Sequence, residues 1–576
     1  MKKFFSVILC AALIVALFAA CGSTNNGGTT ADTPATTQNN NNETANTNEA
    51  TTDSSGGNRD EYRVQIIRPA TQFTDSSLTA VGQVIKDKFN IEFEIIAYTG
   101  DMRERQNLML ASGDFNEIQY MQRDDIVTSY IGAGALLDLE QFKDIMPNFW
   151  RVYGDVQIPF WRAVGDGTLY KWENFVPREG EMDIETNDIH VRTDVLEYYG
   201  WPNPVSASEW VAFLRQAKID FPEIDGQPTV GITSCFAESW GLQGTMPIMY
   251  EKGDTYLPLS NEGYTFNVKT DQFEDYFKNP YVKESFAFFN TLYREGLLDE
   301  EAFTDTFDRM EQKAISGTAL AIWYAGWFNR NAVPYERQYF NLPVQSDTSV
   351  AQGQKRLIRM ETTRNFESYG ITTNAKHPER LAELIDWAMS DEGQITVRNG
   401  VEGVHWIRDG SGKREMTELG IAAKKDVEGA DNLTVGLNFF SMFLGHYNLK
   451  AADGQFHDLF DHAEIYDEHF LTPRQKEAVA GLGWKNSKGW YIDNMAYGHT
   501  GLAGSIYIDS TTDLGRLHQQ MTEVRTRWTS RLVMASSEAE FESLYQQAME
   551  EYDRLDHESV INEYNRLYAE AKAKLG

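Results

Sequence analysis

Apolar residues recur with two different periods along this chain. Ile91, Phe93 and Ile95 alternate with charged residues, which is the pattern of a half-buried strand. The stretch at 63–67 also predicts a short strand, and a predicted helix at 77–89 lies between the two strands. The body of the protein is therefore predicted to open with a strand, a helix and a strand, which is typical of an α/β fold.

Later segments show the helical period more clearly. Ser206 and Glu209 have the spacing of a capping box, which predicts a helix that starts near Ala207. Pro378 suits the first turn of another helix. The apolar residues of further amphipathic helices lie three or four positions apart: Phe286, Phe289, Leu292, Tyr293 and Leu297; Leu381, Leu384, Ile385 and Ala388; Phe541, Leu544, Tyr545, Ala548, Tyr552 and Leu555; and Val560, Tyr564, Leu567 and Tyr568.

The amino terminus has the arrangement of a secretory signal, predicted to cover residues 1–20. Positive residues at 2–3 precede an apolar run at 4–20, which is too short to be interpreted first as a membrane-spanning helix. The sequence Leu17-Phe18-Ala19-Ala20-Cys21-Gly22 resembles a bacterial lipobox. We therefore expect cleavage before Cys21 and acylation of this cysteine, because two or more acyl chains anchor a protein stably. A plain signal peptide with an incidental cysteine is the alternative.

A polar tract follows the predicted cleavage site. Residues 22–58 are rich in Thr, Asn, Gly and Ser and hold almost no aliphatic or aromatic side chains, so they cannot bury enough surface to fold. We expect residues 21–58 to be a lipidated, disordered tether. The remaining residues, 59–576, are more than one hydrophobic core normally serves, which predicts two or more lobes.

The cysteines and the net charge exclude several classes of function. Loss of Cys10 with the signal and lipidation of Cys21 leave Cys235 alone, so no intramolecular disulfide is expected, and Cys235 is predicted to be a buried thiol rather than a nucleophile. The formal charge of −33 becomes −35 once the two signal lysines are removed. Nucleic acid is therefore not expected as a partner.

Short segments spread over nearly the whole mature chain form a pattern of order and spacing. In chain order they are Asn107–Asp114, Gly134–Leu139, Asp166–Tyr170, Val191–Leu196, Tyr199–Pro202, Leu292–Asp299, Ala319–Trp323, Lys376–Glu379, Ser390–Gly393 and Val401–Trp406. Together they resemble the family 1 extracellular solute-binding proteins of bacterial ABC importers, in the long, lipid-anchored branch that binds oligosaccharides.

Two segments depart from the family pattern. Asn116 and Glu117 stand where members commonly have Pro-Asp. The run at 220–226 stands where many members carry a calcium loop, but it is too short and has too few oxygen ligands for the six to eight positions that calcium requires. We therefore expect no bound metal and no cofactor.

The resemblance implies two α/β lobes joined by several chain crossings, with a ligand cleft at the hinge of a periplasmic-binding-protein-like fold. Hinge closure around a ligand is a known motion of this class. By the family pattern, lobe one comprises residues 59–178 and 325–371, and lobe two comprises residues 179–324 and 372–576. Neither lobe is expected to be continuous in sequence.

Candidate ligand residues lie near the predicted crossings between the lobes. Sugars are bound by flat aromatic rings and by planar polar side chains. Gln122, Arg123 and Asp124 directly follow the strand predicted at 117–121. By the resemblance, Asp124 matches a position where maltose-type relatives use Asp on sugar hydroxyls. The full candidate set is Gln122, Arg123, Asp124, Trp172, Glu173, Asn174, Trp240, Trp323, Tyr324, Trp327 and Trp406.

Each of these residues also has a structural interpretation. A tryptophan is more often part of a core than a ligand platform, and we predict that role for Trp210 and Trp387, which lie on apolar helix faces. Arg123 and Asp124 fit a solvated surface pair as well as a ligand contact. Four histidines between 446 and 469 suggest a metal, but His457 and His462 would lie about 140 degrees apart on a helix, so a solvated polar segment is preferred.

The sequence as a whole predicts an extracytoplasmic, lipid-anchored monomer that captures an oligosaccharide and delivers it to the transmembrane subunits of an ABC permease. No serine-hydrolase elbow, metalloprotease motif or phosphate loop occurs, so we expect a protein that is not an enzyme, and that relies on separate ATPase subunits. Two alternatives stay open: a lipid-anchored polysaccharide-degrading enzyme, and a peptide-binding or sensory lipoprotein.

Overall fold

A computed structural model gives the structure of the protein. It describes residues 59–69, 74–98, 100–122, 124–154, 156–163, 165–174, 188–238, 240–247, 252–259, 264–324, 326, 328, 332–360, 367–426, 434–437, 439–446, 448–509 and 511–575. The predicted signal and tether lie outside these residues.

Strands and helices alternate through the first two thirds of the described chain, and helices dominate the last third. The strands are β1 Tyr62–Pro69, β2 Thr74–Asp75, β3 Ile91–Tyr98, β4 Ile118–Met121, β5 Trp172–Glu173, β6 Ile189–Arg192, β7 Glu223–Ile224, β8 Gln227–Pro228, β9 Val230–Thr233, β10 Tyr256–Leu259, β11 Tyr264–Asn267, β12 Gln272–Asp275, β13 Ala319–Trp323, β14 Tyr339–Leu342, β15 Arg356–Met360, β16 Ser368–Ile371, β17 Trp406–Arg408, β18 Arg414–Met416 and β19 Met495–His499.

The helices differ widely in length, and the longest lie near the carboxyl terminus. They are α1 Ala80–Phe89, α2 Met102–Ser112, α3 Asp124–Gly132, α4 Pro147–Tyr153, α5 Gln157–Ala163, α6 Thr193–Tyr198, α7 Ala207–Asp220, α8 Pro280–Arg294, α9 Phe307–Ser316, α10 Asp347–Ala351, α11 Pro378–Ala388, α12 Asp391–Asn399, α13 Glu418–Lys425, α14 Ala463–Phe470, α15 Pro473–Gly481, α16 Gly489–Asn494, α17 Asp513–Val533, α18 Glu538–Tyr552 and α19 His557–Ala573.

The first unit is the predicted strand, helix and strand. β1 and β3 run parallel with Tyr62 opposite Ile91, and α1 connects them. Thr79 caps α1 by accepting from the Gly82 amide, and Asn90 ends the helix in the left-handed conformation at φ 51°. The buried residues of these elements lie on the faces that the alternation predicted, so the prediction of an α/β opening is confirmed.

Two large hydrophobic cores organise the described chain. The first core contains side chains from 62–172 and from 369–444. The second core contains side chains from 189–344 and from 478–568, together with Ala163. Each core draws on separate parts of the sequence, so both lobes are discontinuous and mixed in helix and strand.

The sheets follow the same division. In the first core, β16 lies between β4 and β5 and is antiparallel to both. In the second, a four-stranded sheet has the order β14-β6-β13-β9, in which only the β13–β9 pair is parallel. A three-stranded sheet, β10-β11-β12, packs through Tyr264 and Phe273 against Tyr564 of α19.

Two segments pack in the other core from the one predicted. Tyr339–Leu342, expected in lobe one, pairs with β6 in the second core, with Phe340 opposite Val191. The second segment runs from α11 to Leu444: it was expected in lobe two, but its buried residues, Leu381 and Ile385 of α11 among them, contribute to the first core. The physical reason is that the chain returns to the first core only between β15 and β16, since β15 pairs with β19 while β16 pairs with β4. The other predicted boundaries stay a prediction.

Candidate functional site

Two chain crossings leave the first core beside each other. β5 ends at Glu173, and the next described residue after Asn174 is Asp188, which begins the second core. β16 enters the first core at Ser368 and lies opposite Glu173 in the antiparallel register. The strand ends around these crossings therefore form the candidate site, because ligands of two-lobed α/β proteins bind where strands end at a crevice.

The first-core side of the site is polar and largely buried. The Lys171 ammonium lies 2.7 Å from Glu173 Oε1 and donates to Ser368 Oγ at 3.2 Å. One strand position further out, Asn174 Nδ2 donates to Glu367 Oε2 at 2.5 Å. A buried ion pair offsets its desolvation cost only when its geometry is good and further hydrogen bonds are made, and the bond from Lys171 to Ser368 is one of these.

The second-core side is built around Asp188. Its carboxylate accepts from the Lys252 ammonium at 2.8 Å, from the Tyr491 hydroxyl at 3.2 Å and from the Val344 amide at 3.1 Å, and it forms an ion pair with Arg356. Burial alone would raise the pKa of Asp188, but the Arg356 guanidinium and the Lys252 ammonium outweigh it and hold the pKa below its usual range. The crossing strand is thus locked to β15.

Tyr324 occupies a strained position at the same edge. It follows β13 with φ 66°, a conformation that is a genuine outlier for a bulky residue, and its amide donates to the Asp188 carbonyl at 2.7 Å. Its side chain is half-buried, unlike that of Trp323 beside it. Backbone strain of this kind concentrates at functional sites. The ring also packs against the second core, and the ligand contact of Tyr324 stays a prediction.

Two tryptophans of the candidate set are buried in the large cores. Trp172 is fully buried, donates its indole N–H to the Met442 carbonyl at 2.9 Å and stacks on Tyr369. Trp323 is 1% exposed and donates to the Thr245 carbonyl at 3.2 Å. The structure therefore differs from the prediction that these two rings contact sugar. A ring enclosed by core side chains offers no face to a ligand in this conformation.

Trp406 is also enclosed, in a small cluster separate from both large cores. Its ring packs with Ile395 and Ala451, and its indole N–H donates to the Gly400 carbonyl at 2.9 Å. Trp406 is therefore also too enclosed to contact a ligand in this conformation, unlike the prediction. The prediction that Trp210 and Trp387 belong to helix faces that pack inward is confirmed, because both contact the large cores.

The remaining predicted ligand residues are only partly described. Gln122 is half-buried at the end of β4, and its backbone N–H donates to Gln106 Oε1 at 3.3 Å. Arg123 and Trp327 lie outside the described residues, as do the side chains of Asp124 and Trp240. Their predicted roles stay predictions.

Sequence reasoning missed the partners of the crossing strands. Lys252, Arg356 and Tyr491 converge on Asp188 from distant parts of the chain, and no local pattern announces that convergence. Glu367 could have been found, because it directly precedes a strand that the sequence places at a predicted crossing.

The histidine-rich stretch at 446–469 places its rings in separate surroundings. Among the residues that the structure describes, no three metal-binding side chains converge. His457 Nε2 lies 2.8 Å from Asp391 Oδ1, whereas His446 packs on Tyr153. Both rings are buried, so the prediction of a solvated segment was wrong for these two histidines, which pack at the periphery of the first core.

Cys235 is a buried thiol, as predicted. It packs in a small apolar cluster between β13 and α9, and burial, with the nearby Glu238 carboxylate, raises its pKa to about 12. A thiol with such a pKa forms little thiolate at neutral pH, so it is a poor nucleophile.

Comparisons with solved structures identify the fold. No protein-family profile and no curated protein matches the chain. An HMO-binding, ABC-transporter-associated solute-binding protein from Bifidobacterium longum infantis aligns with a TM-score of 0.60 and 14% identity, over 88% of this chain and 99% of that one. The chain has the solute-binding-protein fold.

Two further structures agree over a similar extent. An extracellular solute-binding protein from Bifidobacterium longum subsp. infantis has a TM-score of 0.63 and 14% identity, over 89% of this chain and 98% of its own. The substrate-binding protein FusA from S. pneumoniae, in complex with kestose, has a TM-score of 0.58 and 14% identity, over 89% of this chain and 100% of its own. These likenesses confirm the predicted two-lobed α/β fold over nearly the entire body of this solute-binding-protein-like chain.

Within the part of the chain that the structure describes, no helix combines the length and the apolar composition needed to cross a bilayer.

Proposed function

We propose that this protein is an extracytoplasmic, lipid-anchored solute-binding protein that captures an oligosaccharide and delivers it to an ABC permease. The observation that carries the proposal is the alignment of nearly the full length of solved sugar-binding proteins, named for HMO binding and crystallised with kestose, onto this two-lobed fold. The sequence adds a lipobox-like Cys21 behind a signal-like segment.

The geometry of the crossings supports capture by hinge movement. The two crossing strands lie in register at Glu173 and Ser368, and each is fixed to its core by buried polar contacts. Rotation of the two cores relative to each other would change the exposure of the polar strand ends. A ligand that contacts both cores would shift the population toward the closed form by its greater affinity for that form.

An enzyme would need a different arrangement of side chains. A hydrolase of polysaccharides uses two carboxyl groups across the bound sugar. At this site Glu173 is paired with Lys171 and Asp188 with Lys252 and Arg356, which leaves Glu367 as the one site carboxylate without an ion pair among the described residues, and a single carboxylate is not the pair that hydrolysis needs. The arrangement supports binding without turnover.

The first experiment is a thermal shift of the mature chain carrying Cys21→Ser, measured against neutral and uronate oligosaccharides of plant and microbial polymers. A ligand at 100 times its Kd adds about 2.7 kcal/mol to the free energy of unfolding, which raises Tm measurably. We expect a hit from which mass spectrometry recovers the glycan intact. A cleaved glycan would indicate the enzyme instead, and a response to peptides alone would indicate the peptide-binding alternative.

A further inference from the structure

Asn174 and Glu367 are brought together by the register of the crossing strands. Glu173 of β5 lies opposite Ser368 of β16 in antiparallel pairing. The next position along β5 therefore faces the preceding position along β16, which are Asn174 and Glu367. Their side chains meet through the hydrogen bond from Asn174 Nδ2 to Glu367 Oε2. The pair thus lies at the point where both chain crossings leave the first core.

Asn174 is only half satisfied at this position. The residue is 1% exposed, and its Nδ2 has a partner, but its Oδ1 is a buried acceptor without a donor among the residues that the structure describes. A buried polar atom without a hydrogen bond costs about 1–3 kcal/mol. Such an orphan acceptor at a hinge is satisfied when a donor arrives, and a sugar hydroxyl is a donor of suitable size.

The charges around the pair are unequal. Glu173 is neutralised by the Lys171 ammonium at 2.7 Å, and both side chains are buried. Glu367 is half-buried, and among the described residues no lysine or arginine forms an ion pair with it. The outer end of the crossing strands therefore holds two acceptors, Asn174 Oδ1, which is enclosed in this conformation, and the half-buried Glu367 carboxylate, together with one negative charge.

We propose, on the footing of the proposed function, that Asn174 and Glu367 form a subsite for the hydroxyl groups of an uncharged sugar unit and discriminate against uronates. When hinge rotation uncovers Asn174, two neighbouring hydroxyls donate to the two acceptors. A uronate carboxylate has no hydrogen to donate, and it is repelled by Glu367 at short range in a site of low effective dielectric. The sugar unit that binds at Asn174 and Glu367 is therefore expected to be uncharged.

The test compares matched neutral and acidic oligosaccharides. Isothermal titration calorimetry is performed on the mature chain with Cys21→Ser, using mannotetraose against tetramannuronate, galactotetraose against tetragalacturonate, and xylotetraose with and without a glucuronate branch. We expect the neutral member of the bound pair to bind at least about tenfold tighter at pH 7, and this ratio to fall as salt is raised.

Glu367→Gln is the decisive variant. It keeps the shape of the side chain and its ability to accept from Asn174 Nδ2, so folding is retained, and Tm serves as the check. The neutral-to-uronate ratio is expected to fall at least threefold. The matched control is Glu295→Gln, which removes a carboxylate paired with Arg215 on the surface of the second core and should leave the ratio unchanged.

Asn174→Ala provides a second, independent measurement. It removes the orphan acceptor and should weaken binding of the neutral glycan at least tenfold. A preference for the uronate in the unsubstituted chain, or an equal ratio in Glu367→Gln and Glu295→Gln, would overturn the subsite while leaving the proposed function intact. Binding of no glycan in any pair would overturn the proposed function itself, and with it this subsite.

Discussion

The Asp188 carboxylate lies 2.8 Å from the Lys252 ammonium, and both side chains are completely buried. Asp188 is the first described residue after the crossing from β5, so this ion pair fixes the start of the second core. Arg356 shares the same carboxylate and begins β15, the last described strand before the chain returns to the first core. One carboxylate thus holds together the ends of two crossings.

Asp188→Asn is therefore expected to destabilise the protein strongly. The change removes the charged carboxylate that faces the buried Lys252 and Arg356 cations, and breaking a buried pair from one side costs about 3–5 kcal/mol. Urea unfolding followed by tryptophan fluorescence measures the loss. Glu295→Gln, which breaks an exposed pair with Arg215, should cost under about 1 kcal/mol. Equal losses in the two variants would show that the Asp188 cluster does not stabilise the fold.

Neighbouring residues at the end of β13 are expected to have separable roles. Trp323 is enclosed in the second core, whereas Tyr324 is half-buried at the site with φ 66°. Trp323→Phe should lower Tm, because it removes buried area and the indole hydrogen bond to Thr245, and should leave glycan affinity within threefold.

Tyr324→Asn is the matched partner, since Asn tolerates a positive φ and replaces the phenol with a small amide. It should keep Tm within a few degrees and weaken glycan binding about tenfold. Thermal unfolding and calorimetry on both variants check the pair. A reversed outcome, in which Trp323→Phe loses affinity and Tyr324→Asn loses stability, would restore the predicted sugar contact of Trp323.

Cys21→Ser is expected to release the protein from the membrane. Without the Cys21 sulfur no diacylglycerol can be attached. The protein then has no acyl chains at this residue to hold it in the membrane. Cell fractionation with immunoblotting should find the variant in the medium or periplasm, and metabolic labelling with palmitate should find it unlabelled. Cys235→Ser is the matched control, since that thiol is buried in the body. Continued labelling of the Cys21→Ser protein would contradict lipidation at this residue.

Local features of the fold were predictable from the sequence, and long-range ones were not. The capping box of Ser206 and Glu209 is present at α7, because it depends on residues three apart. The placement of Tyr339–Leu342 depends on pairing with β6, far away in sequence, and no local period encodes it. The amphipathic period likewise predicts α18 and α19, because it depends on residues three or four positions apart.

The candidate site likewise has some residues that the local sequence predicts and others whose contacts depend on distant parts of the chain. Asn174 was found because it follows a strand near a predicted crossing, a signal that the chain carries locally. Asp188 finds its partners Lys252 and Arg356 at separations of 64 and 168 residues. The burial of Trp172 and Trp323 depends on which side chains surround them, and composition near a tryptophan does not determine that.

Asp453→Asn is expected to reduce stability at neutral pH and to lose its effect in acid. The Arg414 guanidinium donates to both carboxylate oxygens, at 2.7 and 3.0 Å, and lowers the pKa of Asp453 to about 2. Because the folded pKa is below the unfolded one, the contribution is present above about pH 4 and disappears as pH falls toward 2. Partial exposure limits the loss at pH 7 to about 1 kcal/mol. Urea unfolding from pH 7 to 3 measures it; a difference that persists undiminished at pH 3 would contradict the ion pair.

Asp461 should show the opposite sign. Burial, with the neighbouring Asp458 carboxylate, raises the pKa of Asp461 to about 6, although its Oδ2 accepts from the Asn448 amide at 2.9 Å. A folded pKa above the unfolded one means that stability is highest below about pH 4 and declines as pH rises toward 6.

Asp461→Asn removes this titration while its amide oxygen still accepts from Asn448, so the variant should be more stable than the natural chain at pH 7, by up to about 3 kcal/mol, and equal to it near pH 4. Urea unfolding at both pH values measures the gain, with Asp453→Asn as the control of opposite sign. Destabilisation by Asp461→Asn at pH 7 would mean that the folded protein stabilises the ionised Asp461 carboxylate, which would reverse the assigned direction of its pKa.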